Sequence, residues 1–326
     1  MLDRGAALTT VVRPGPLTTV QDLGRPGYAH LGVSPSGAAD ERSHRLANRL
    51  VGNPETAATL ESLLGGLVLL FHCAATIAVT GAPASVTAGS ERAGSAVGEV
   101  ARRQRRPGAG PDAGRPAPGG SRPLPWCAAA RVGAGEIITI GTPAWGLRTY
   151  LAISGGIVVP STLGSRSCDT LSGLGPAPLH EGDQLPLGEP VAAQHWPDAG
   201  ELASCCTVGP ADVVVRVRRG PRDDWFPVGA FATLLASAWQ VTSETNRVGV
   251  RLSGPPLRHA DDAQLPSEGM VRGSIQVPTS GQPIVFLADH PTTGGYPVIG
   301  VVARTDIALL AQARPGVHVR FRSVGA

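Results

Sequence analysis

Three stretches of the sequence place carboxylate, guanidinium, amide and hydroxyl side chains among glycines. The stretches are TTVQDLGRPGY at 18–28, SETNRVGVRL at 243–252, and QVPTSGQP at 276–283 followed by DHPTTGGYP at 289–297. Glycine lets backbone approach a ligand closely, and binding and catalytic residues concentrate on such loops. Together the stretches predict one composite site formed by loops from distant parts of the chain.

Three residues of these stretches are the candidates for catalysis. Arg247 can hold a carboxylate or a phosphate through two parallel hydrogen bonds. Asp289 follows the apolar run 284–287 and precedes a Thr-Thr-Gly-Gly turn, so it is a candidate for proton transfer, with Asp22 as the alternative. The residues expected to bind and orient a substrate are Gln21, Arg25, Asn246, Gln276, Thr279, Gln282, Thr292, Thr293 and Tyr296.

The same residue types also build turns. Asp, Asn, Thr and Gly cap and close hairpins, and each stretch taken singly fits that structural role better than a catalytic one. Their combination, in a chain otherwise poor in polar clusters, is what indicates a site. The sequence contains no GxSxG elbow, no HExxH motif and no paired Cys/His set, so no metal ligands are predicted.

Short β-strands must position these loops. The apolar runs, each bounded by Gly, Pro or Asp, are 8–12, 67–71, 76–80, 136–140, 149–153, 213–217, 284–287 and 317–321. Helices are predicted at 39–51, which ends at Gly-Asn-Pro, and at 306–313. Many short strands with few helices indicate a mainly β barrel or sandwich architecture rather than alternating βαβ units.

Composition excludes several chemistries. All 28 residues counted as Lys plus Arg are arginines. A Walker A loop, a pyridoxal Schiff base and a protein kinase strand each need a lysine, so none of these is present in standard form. A biotin carrier needs one as well.

Length and composition suggest two domains. A chain of 326 residues is typical of about two, and a change to small and polar residues at 195–208 divides the chain into 1–200 and 201–326. Residues 91–122 lack large apolar side chains and are predicted to be a disordered insertion. They also hold most of the net positive charge, so nucleic acid is a poor candidate as a partner.

The sequence predicts a cytoplasmic protein. Its five cysteines form no CxxC pair and leave an odd thiol, which suits a reducing compartment. The first residues lack the apolar core of a signal peptide, and the longest apolar stretch, 63–71, is far shorter than a membrane span.

Six stretches of the chain resemble one known family, that of the 5-oxoprolinase C subunit. This family is also called the biotin-dependent carboxyltransferase or KipI-antagonist family, and it includes part of urea carboxylase. The stretches are 18–28, SPSGAADERSHRLANRLVGN at 34–53, RTYLAISGGI at 148–157, LGSRSCDTLSGLG at 163–175, TSETNRVGVRL at 242–252 and SIQVPTSGQPIVFLADHPTTGGYPVIG at 274–300.

The resemblance implies a fold and an activity. The fold would be two cyclophilin-like β-barrel domains with a few short helices. The activity would be that of an ATP-dependent, lactam-opening amidohydrolase that converts 5-oxo-L-proline to L-glutamate. It would need a related partner protein, of the 5-oxoprolinase B-subunit or KipI type, and a third subunit. ATP and Mg²⁺ would act with the partner, and biotin would not be carried by this chain.

Two other functions fit the same resemblance. The chain could be the carboxyltransferase half of a biotin-dependent, urea carboxylase-like enzyme, which requires a separate biotinylated chain. It could also be a regulatory antagonist that binds a kinase-inhibitor protein, in which case its groove needs no acid or base.

Overall fold

The computed structural model describes residues 8–90, 120–190, 212–260 and 264–324. We call 8–190 the N-terminal half and 212–324 the C-terminal half. Most of the regular structure described is β-strand, as the short apolar runs of the sequence predict.

The strands of the N-terminal half form two antiparallel sheets around one apolar core. The six-stranded sheet has the order β11 (Gln184–Pro186), β1 (Leu8–Pro14), β4 (Leu67–Phe71), β9 (Glu136–Ile140), β6 (Val86–Ser90) and β7 (Arg122–Leu124). The five-stranded sheet has the order β2 (Leu17–Gln21), β3 (Thr59–Leu63), β10 (Arg148–Ile153), β5 (Ala75–Gly81) and β8 (Ala129–Val132). Leu69 and Ile138 of the first sheet pack with Leu60 and Leu151 of the second.

The strands of the C-terminal half close into a seven-stranded barrel. Their order is β12 (Val213–Arg219), β19 (Val298–Val302), β16 (Ser274–Gln276), β17 (Ile284–Phe286), β14 (Gly249–Ser253), β13 (Trp239–Val241) and β20 (His318–Ser323). A separate pair is formed by β15 (Glu268–Gly269) and β18 (Thr293–Gly294). In β12, Val213, Val215 and Val217 are buried and the residues between them are exposed, which is the period of two expected for a strand with one face in the core.

In the described ranges, three short α-helices accompany the sheets: α1 (Glu41–Leu50), α2 (Ala230–Ala236) and α3 (Ile307–Ala311). Asp40 caps α1, because its carboxylate accepts a hydrogen bond from the backbone N–H of Ser43 at 3.1 Å. Leu46 and Leu50 of α1 pack against Tyr150 of β10. The helix therefore packs on the five-stranded sheet, and its capping residue Asp40 contacts the C-terminal half.

The mainly β prediction with a few short helices is confirmed. Each of the eight predicted runs lies on a strand, and the two predicted helices are α1 and α3, both shorter than expected. The domain boundary at 195–208 and nearly all of the insertion at 91–122 lie outside the described residues, so the division near residue 200 stays a prediction.

Two further expectations bear on location. None of the helices in the described part of the chain has the length and apolar character of a membrane span. Cys73 and Cys168 are free thiols, but Cys127 is disulfide-bonded. This differs from the reduced thiols that the cysteine pattern suggested.

Candidate functional site

Buried charged side chains join the two halves. Arg247, just before β14, donates from Nε and Nη2 to the two carboxylate oxygens of Asp289 at 2.8 and 2.9 Å. Its Nη1 donates to Glu61 of β3, in the other half. Arg247 is 3% exposed and Asp289 is 0% exposed. We call this contact region, centred on Arg247, Asp289, Glu61 and Arg148, the seam.

Asp289 has hydrogen-bond donors on both oxygens. Besides Arg247, Ser36 donates from Oγ to Oδ1 at 2.7 Å, and Thr170 donates from N and Oγ1 to Oδ2 at 2.9 and 2.7 Å. Burial alone would raise the pKa of Asp289, but Arg247 and these hydrogen bonds outweigh it and hold the pKa below its usual value. The carboxylate is therefore ionised and fully engaged by groups of this chain.

Glu61 is one of the seam residues that sequence reasoning missed, and Arg148 is another. Its Oε1 accepts from Arg247 and lies 3.3 Å from Nε of Arg148, and its Oε2 accepts from the hydroxyl of Tyr150 and the N–H of Ala39 at 2.7 and 2.9 Å. Burial opposes its charge, but the two arginines outweigh it and lower the pKa of Glu61. The one signal in the sequence was a carboxylate inside a strand-like run.

Gln312, next to the C-terminal end of α3, extends the seam. Its Oε1 accepts from the backbone N–H groups of Leu147 and Arg148 at 2.9 and 2.8 Å, and its Nε2 donates to Asp40 at 2.9 Å. Arg148 donates from Nη1 to the carbonyl oxygen of Ala311. Burial raises the pKa of Asp40, although Gln312 and Ser43 act in the opposite direction. The loop before α1 and the end of α3 are thus bonded to each other across the seam.

Asp22 lies in a second group, inside the N-terminal half. Its Oδ1 accepts from the N–H of Gly24 at 2.7 Å and from the hydroxyls of Ser165 and Ser167, each at 2.6 Å, while Oδ2 accepts from the N–H of Arg166 at 2.6 Å. Gly24 has φ +83°, and a Cβ there would lie 2.3 Å from the Pro35 carbonyl oxygen. Only glycine fits this position.

Gln21 and Arg25 belong to the same group as Asp22. Gln21 donates from Nε2 to the carbonyl oxygen of Cys168 at 2.9 Å. Arg25 donates from Nε to the carbonyl oxygen of Thr162 at 3.3 Å and from Nη2 to that of Ser167. Both side chains are buried. The group therefore fastens the 162–168 loop to the end of β2.

The remaining predicted residues lie mainly on turns of the C-terminal half. Gln276 is buried on β16 and donates to the Tyr296 carbonyl oxygen at 3.1 Å. Gln282 bonds both backbone groups of Gly254, at 2.8 and 3.1 Å. Asn246 is exposed and accepts from Val248 and Gly249 N–H groups at 2.8 and 3.3 Å. Thr279 and Thr293 are exposed, Thr292 is half-buried and Tyr296 is 43% exposed.

The predicted residues thus fall into three hydrogen-bonded regions rather than one pocket: the seam, the Asp22 group and the turns at 276–296. The first two are connected, because Ser36, which donates to Asp289, also has its Oγ 3.2 Å from the Cys168 carbonyl oxygen. Their catalytic and substrate-binding roles stay predictions.

A cavity of about 180 Å³ opens at the seam. Polar and charged groups from both halves line it, together with apolar walls. The lining residues are Leu17, Thr19, Glu61, Leu63, Leu64, Leu147, Arg148, Ser243, Thr245, Arg247 and Pro315. In the described part of the chain, no three His, Cys, Asp or Glu residues are grouped so that they could hold a metal ion.

Comparison with known proteins shows what this chain is similar to. Residues 31–105 and 109–323 match the family model described as carboxyltransferase domain, subdomain A and B. The chain is 34% identical over 318 residues to the 5-oxoprolinase C subunit of Escherichia coli (strain K12), covering 95% of this chain and 89% of that protein.

Two solved structures share the fold. The crystal structure of TTHA0988 matches with a TM-score of 0.78 and 33% identity, over 99% of this chain and 56% of that chain. The urea amidolyase of K. lactis matches with a TM-score of 0.82 and 29% identity, over 99% of this chain and 19% of that chain. This chain therefore spans about half of the first structure and a fifth of the second. The family model covers nearly all of this chain, which belongs to the carboxyltransferase domain family, subdomains A and B.

Proposed function

We propose that this chain is one subunit of an ATP-dependent enzyme that opens 5-oxo-L-proline to L-glutamate. The observation that carries the proposal is the extent of the similarity to a protein named as the C subunit of 5-oxoprolinase, which covers 89% of that protein's length. A lactam is stabilised by resonance and its hydrolysis is unfavourable, so coupling to ATP has a chemical reason.

A partner protein is part of the proposal. The carboxylates that the sequence nominates for proton transfer, Asp289 and Asp22, already accept hydrogen bonds from this chain's own groups. The exposed hydroxyls of the turns at 276–296 are not saturated by hydrogen bonds from this chain in the same way. They are available to complete a groove with a second protein. We propose a related partner, of the 5-oxoprolinase B-subunit or KipI type, together with a third subunit.

The cofactors are assigned on the same basis. We propose that ATP and Mg²⁺ are held with the partner. Biotin is not carried by this chain, which has no lysine to attach it. A cytoplasmic location is part of the proposal as well.

The roles of Arg247, Asp289 and Asp22 can be stated as requirements. If Arg247 grips the substrate carboxylate, it must give up its contact with Asp289 or Glu61 during turnover. If Asp289 or Asp22 transfers a proton, one of its present donors must leave first, because the oxygens that would take the proton are occupied. Otherwise these residues position the loops, and they contact no reacting atom.

The test is reconstitution of the complete complex. This chain would be co-expressed with its partner subunits, and ATP hydrolysis and L-glutamate formation would be measured with and without 5-oxo-L-proline. We expect both products only when substrate and all subunits are present. ATP hydrolysis that is independent of 5-oxo-L-proline, without glutamate, would contradict the proposal.

A second candidate, carboxyl transfer in a biotin-dependent enzyme, is favoured by one observation: the fold match to a urea amidolyase covers 99% of this chain. That function needs a biotinylated carrier on another chain. In the reconstituted system, carboxylation of urea that depends on an added biotinylated carrier would select it over ring opening.

A further inference from the structure

The cavity at the seam is not used by the catalytic roles predicted from the sequence, apart from Arg247 at its wall. We propose that it is a binding site, within this chain alone, for a small carboxylate that is held by Arg148. The inference deepens the proposed function, on which the choice of 5-oxo-L-proline as the first probe rests.

The size of the cavity suits a small metabolite. Its volume is about 180 Å³, whereas a single water needs only about 10–15 Å³ by the same kind of measure. It is smaller than the pockets of roughly 300–1,000 Å³ that hold drug-sized ligands. A five-membered ring with one acid group is therefore a suitable occupant.

The cavity wall has more hydrogen-bond donors than this chain has acceptors to pair with them. Arg148 is buried, donates from Nη1 to the carbonyl oxygen of Ala311, and pairs through Nε with Glu61 at 3.3 Å. A guanidinium has five N–H groups, and among the described residues Nη2 of Arg148 has no acceptor. A donor that lines a cavity and has no protein acceptor can bond an acceptor on a ligand.

Glu61 cannot satisfy that donor surplus. Its two oxygens already take Arg247, Arg148, Tyr150 and the backbone of Ala39. The ionisable groups that line the cavity are Arg148, Arg247 and Glu61, and Asp289, bonded to Arg247 behind the wall, balances the second arginine. An anionic oxygen pair matches the planar guanidinium fork better than a single carbonyl does.

The rest of the cavity suits the carbon skeleton and a second polar group. Leu17, Leu63, Leu64, Leu147 and Pro315 supply apolar walls, and Thr19, Ser243 and Thr245 supply hydroxyls. Because the lining comes from both halves, an occupant contacts the two halves at once. Binding should therefore also raise the melting temperature of the chain.

The test is isothermal titration calorimetry on the full chain, without ATP and without partners. The probes are 5-oxo-L-proline, cyclopentanecarboxylate, which has no lactam, and 2-pyrrolidinone, which has no carboxylate. We expect the two acids to bind and 2-pyrrolidinone to bind about tenfold more weakly or not at all. Equal or tighter binding of 2-pyrrolidinone would overturn the assignment of a carboxylate to Arg148.

A matched pair of variants locates the site. Ser243 lies on an exposed turn at the cavity, and Ser253 is exposed on β14 away from it. We expect Ser243→Trp to weaken 5-oxo-L-proline binding by about tenfold or more, and Ser253→Trp to change it by less than about twofold. Neither serine takes part in the seam contacts described above, and the melting curves of both variants check the fold. Unchanged binding by Ser243→Trp would overturn the site.

The outcomes separate this inference from the proposed function. If the complete complex opens 5-oxo-L-proline but this chain binds neither acid, the cavity inference is wrong and the proposed function stands. If the chain binds the acids as expected but the complex has no 5-oxo-L-proline-dependent turnover, the cavity inference stands and the proposed function is wrong.

Discussion

At the seam, Arg247 and Asp289 are withdrawn from water and bonded to each other, to Glu61 and to Ser36. On the turns of the C-terminal half, Thr293 is exposed and Tyr296 is 43% exposed. Both regions belong to stretches that look alike in sequence, with polar residues among glycines. The difference in burial decides their roles, since buried charges must be paired while exposed hydroxyls need no partner in the chain.

The largest expected effect comes from breaking the seam. Arg247→Ala leaves Asp289 and Glu61 buried without their main counter-charge, which should cost roughly 3–5 kcal/mol of unfolding free energy. Arg251→Ala is the control, because Arg251 is exposed and lies 3.6 Å from the exposed Glu244, a pair worth about 1 kcal/mol or less. Denaturant unfolding measures both. Equal losses in the two variants would contradict the contrast between seam and surface.

The next largest effect is a loss of stability at acidic pH. Burial lowers the pKa of His44 to about 4 from 6.5, and the ring bonds to Thr59 and to the Glu55 carbonyl oxygen at 2.9 and 3.0 Å. The unfolded chain therefore binds more protons than the folded chain between these two pH values. Unfolding free energy should fall by about 3 kcal/mol as pH drops through that interval.

His44→Gln should remove most of that slope, and His30→Gln, which alters an exposed histidine, should not. Urea unfolding at a series of pH values provides the measurement. If His44→Gln loses stability as steeply as the wild type, the acid sensitivity belongs to other buried groups. The seam carboxylates would be the first alternative below about pH 4, since their lowered pKa values make their contribution disappear as pH falls further.

A smaller effect is expected from the Asp22 group. Asp22→Asn replaces one acceptor oxygen by an NH₂ group, which then faces a donor it cannot bond, at a cost of about 1–3 kcal/mol. Asp212→Asn is the control, because Asp212 is half exposed and its carboxylate lies next to Arg320 and His318 at the surface. Thermal melting of the two variants tests this. A stable Asp22→Asn protein with greatly reduced turnover would instead support the proton-transfer role.

The smallest effect on stability should come from the turns. Thr293→Ala should change unfolding free energy by less than about 0.5 kcal/mol, while lowering 5-oxo-L-proline-dependent turnover of the complete complex about tenfold if one substrate hydrogen bond is lost. Thr233→Ala, at an exposed position of α2, is the control for both measurements. Unchanged turnover would remove Thr293 from the substrate-binding residues.

Local patterns predicted most of the fold. A valine-rich run between Asp212 and Gly220 identified β12, and acidic residues in the first turn with Gly-Asn-Pro after the helix identified α1. These signals depend on residues only a few positions apart. They can therefore be interpreted without knowing how the rest of the chain folds. Helix α2 was missed because its start carries no side-chain cap and its first turn no acidic residue.

The seam could not be predicted in the same way. Glu61 looks like a solvent-facing residue of a strand until the C-terminal half covers it, and the sequence contains no local signal of that cover. The bonds of Gln312 to Arg148 and Asp40 span 164 and 272 positions. Such contacts depend on the docking of one half on the other, which short patterns do not encode.

The separation between Glu61 and Arg247 also orders events during synthesis. Arg247 follows Glu61 by 186 positions, so at usual elongation rates it emerges roughly 10–40 s later. During that interval Glu61 and Arg148 stay hydrated, because Arg247 and Gln312, which bond to them in the folded chain, have not yet been made. The β-sheets of the N-terminal half can form as the chain emerges, but its face toward the later half becomes dry only when the last strands have been translated.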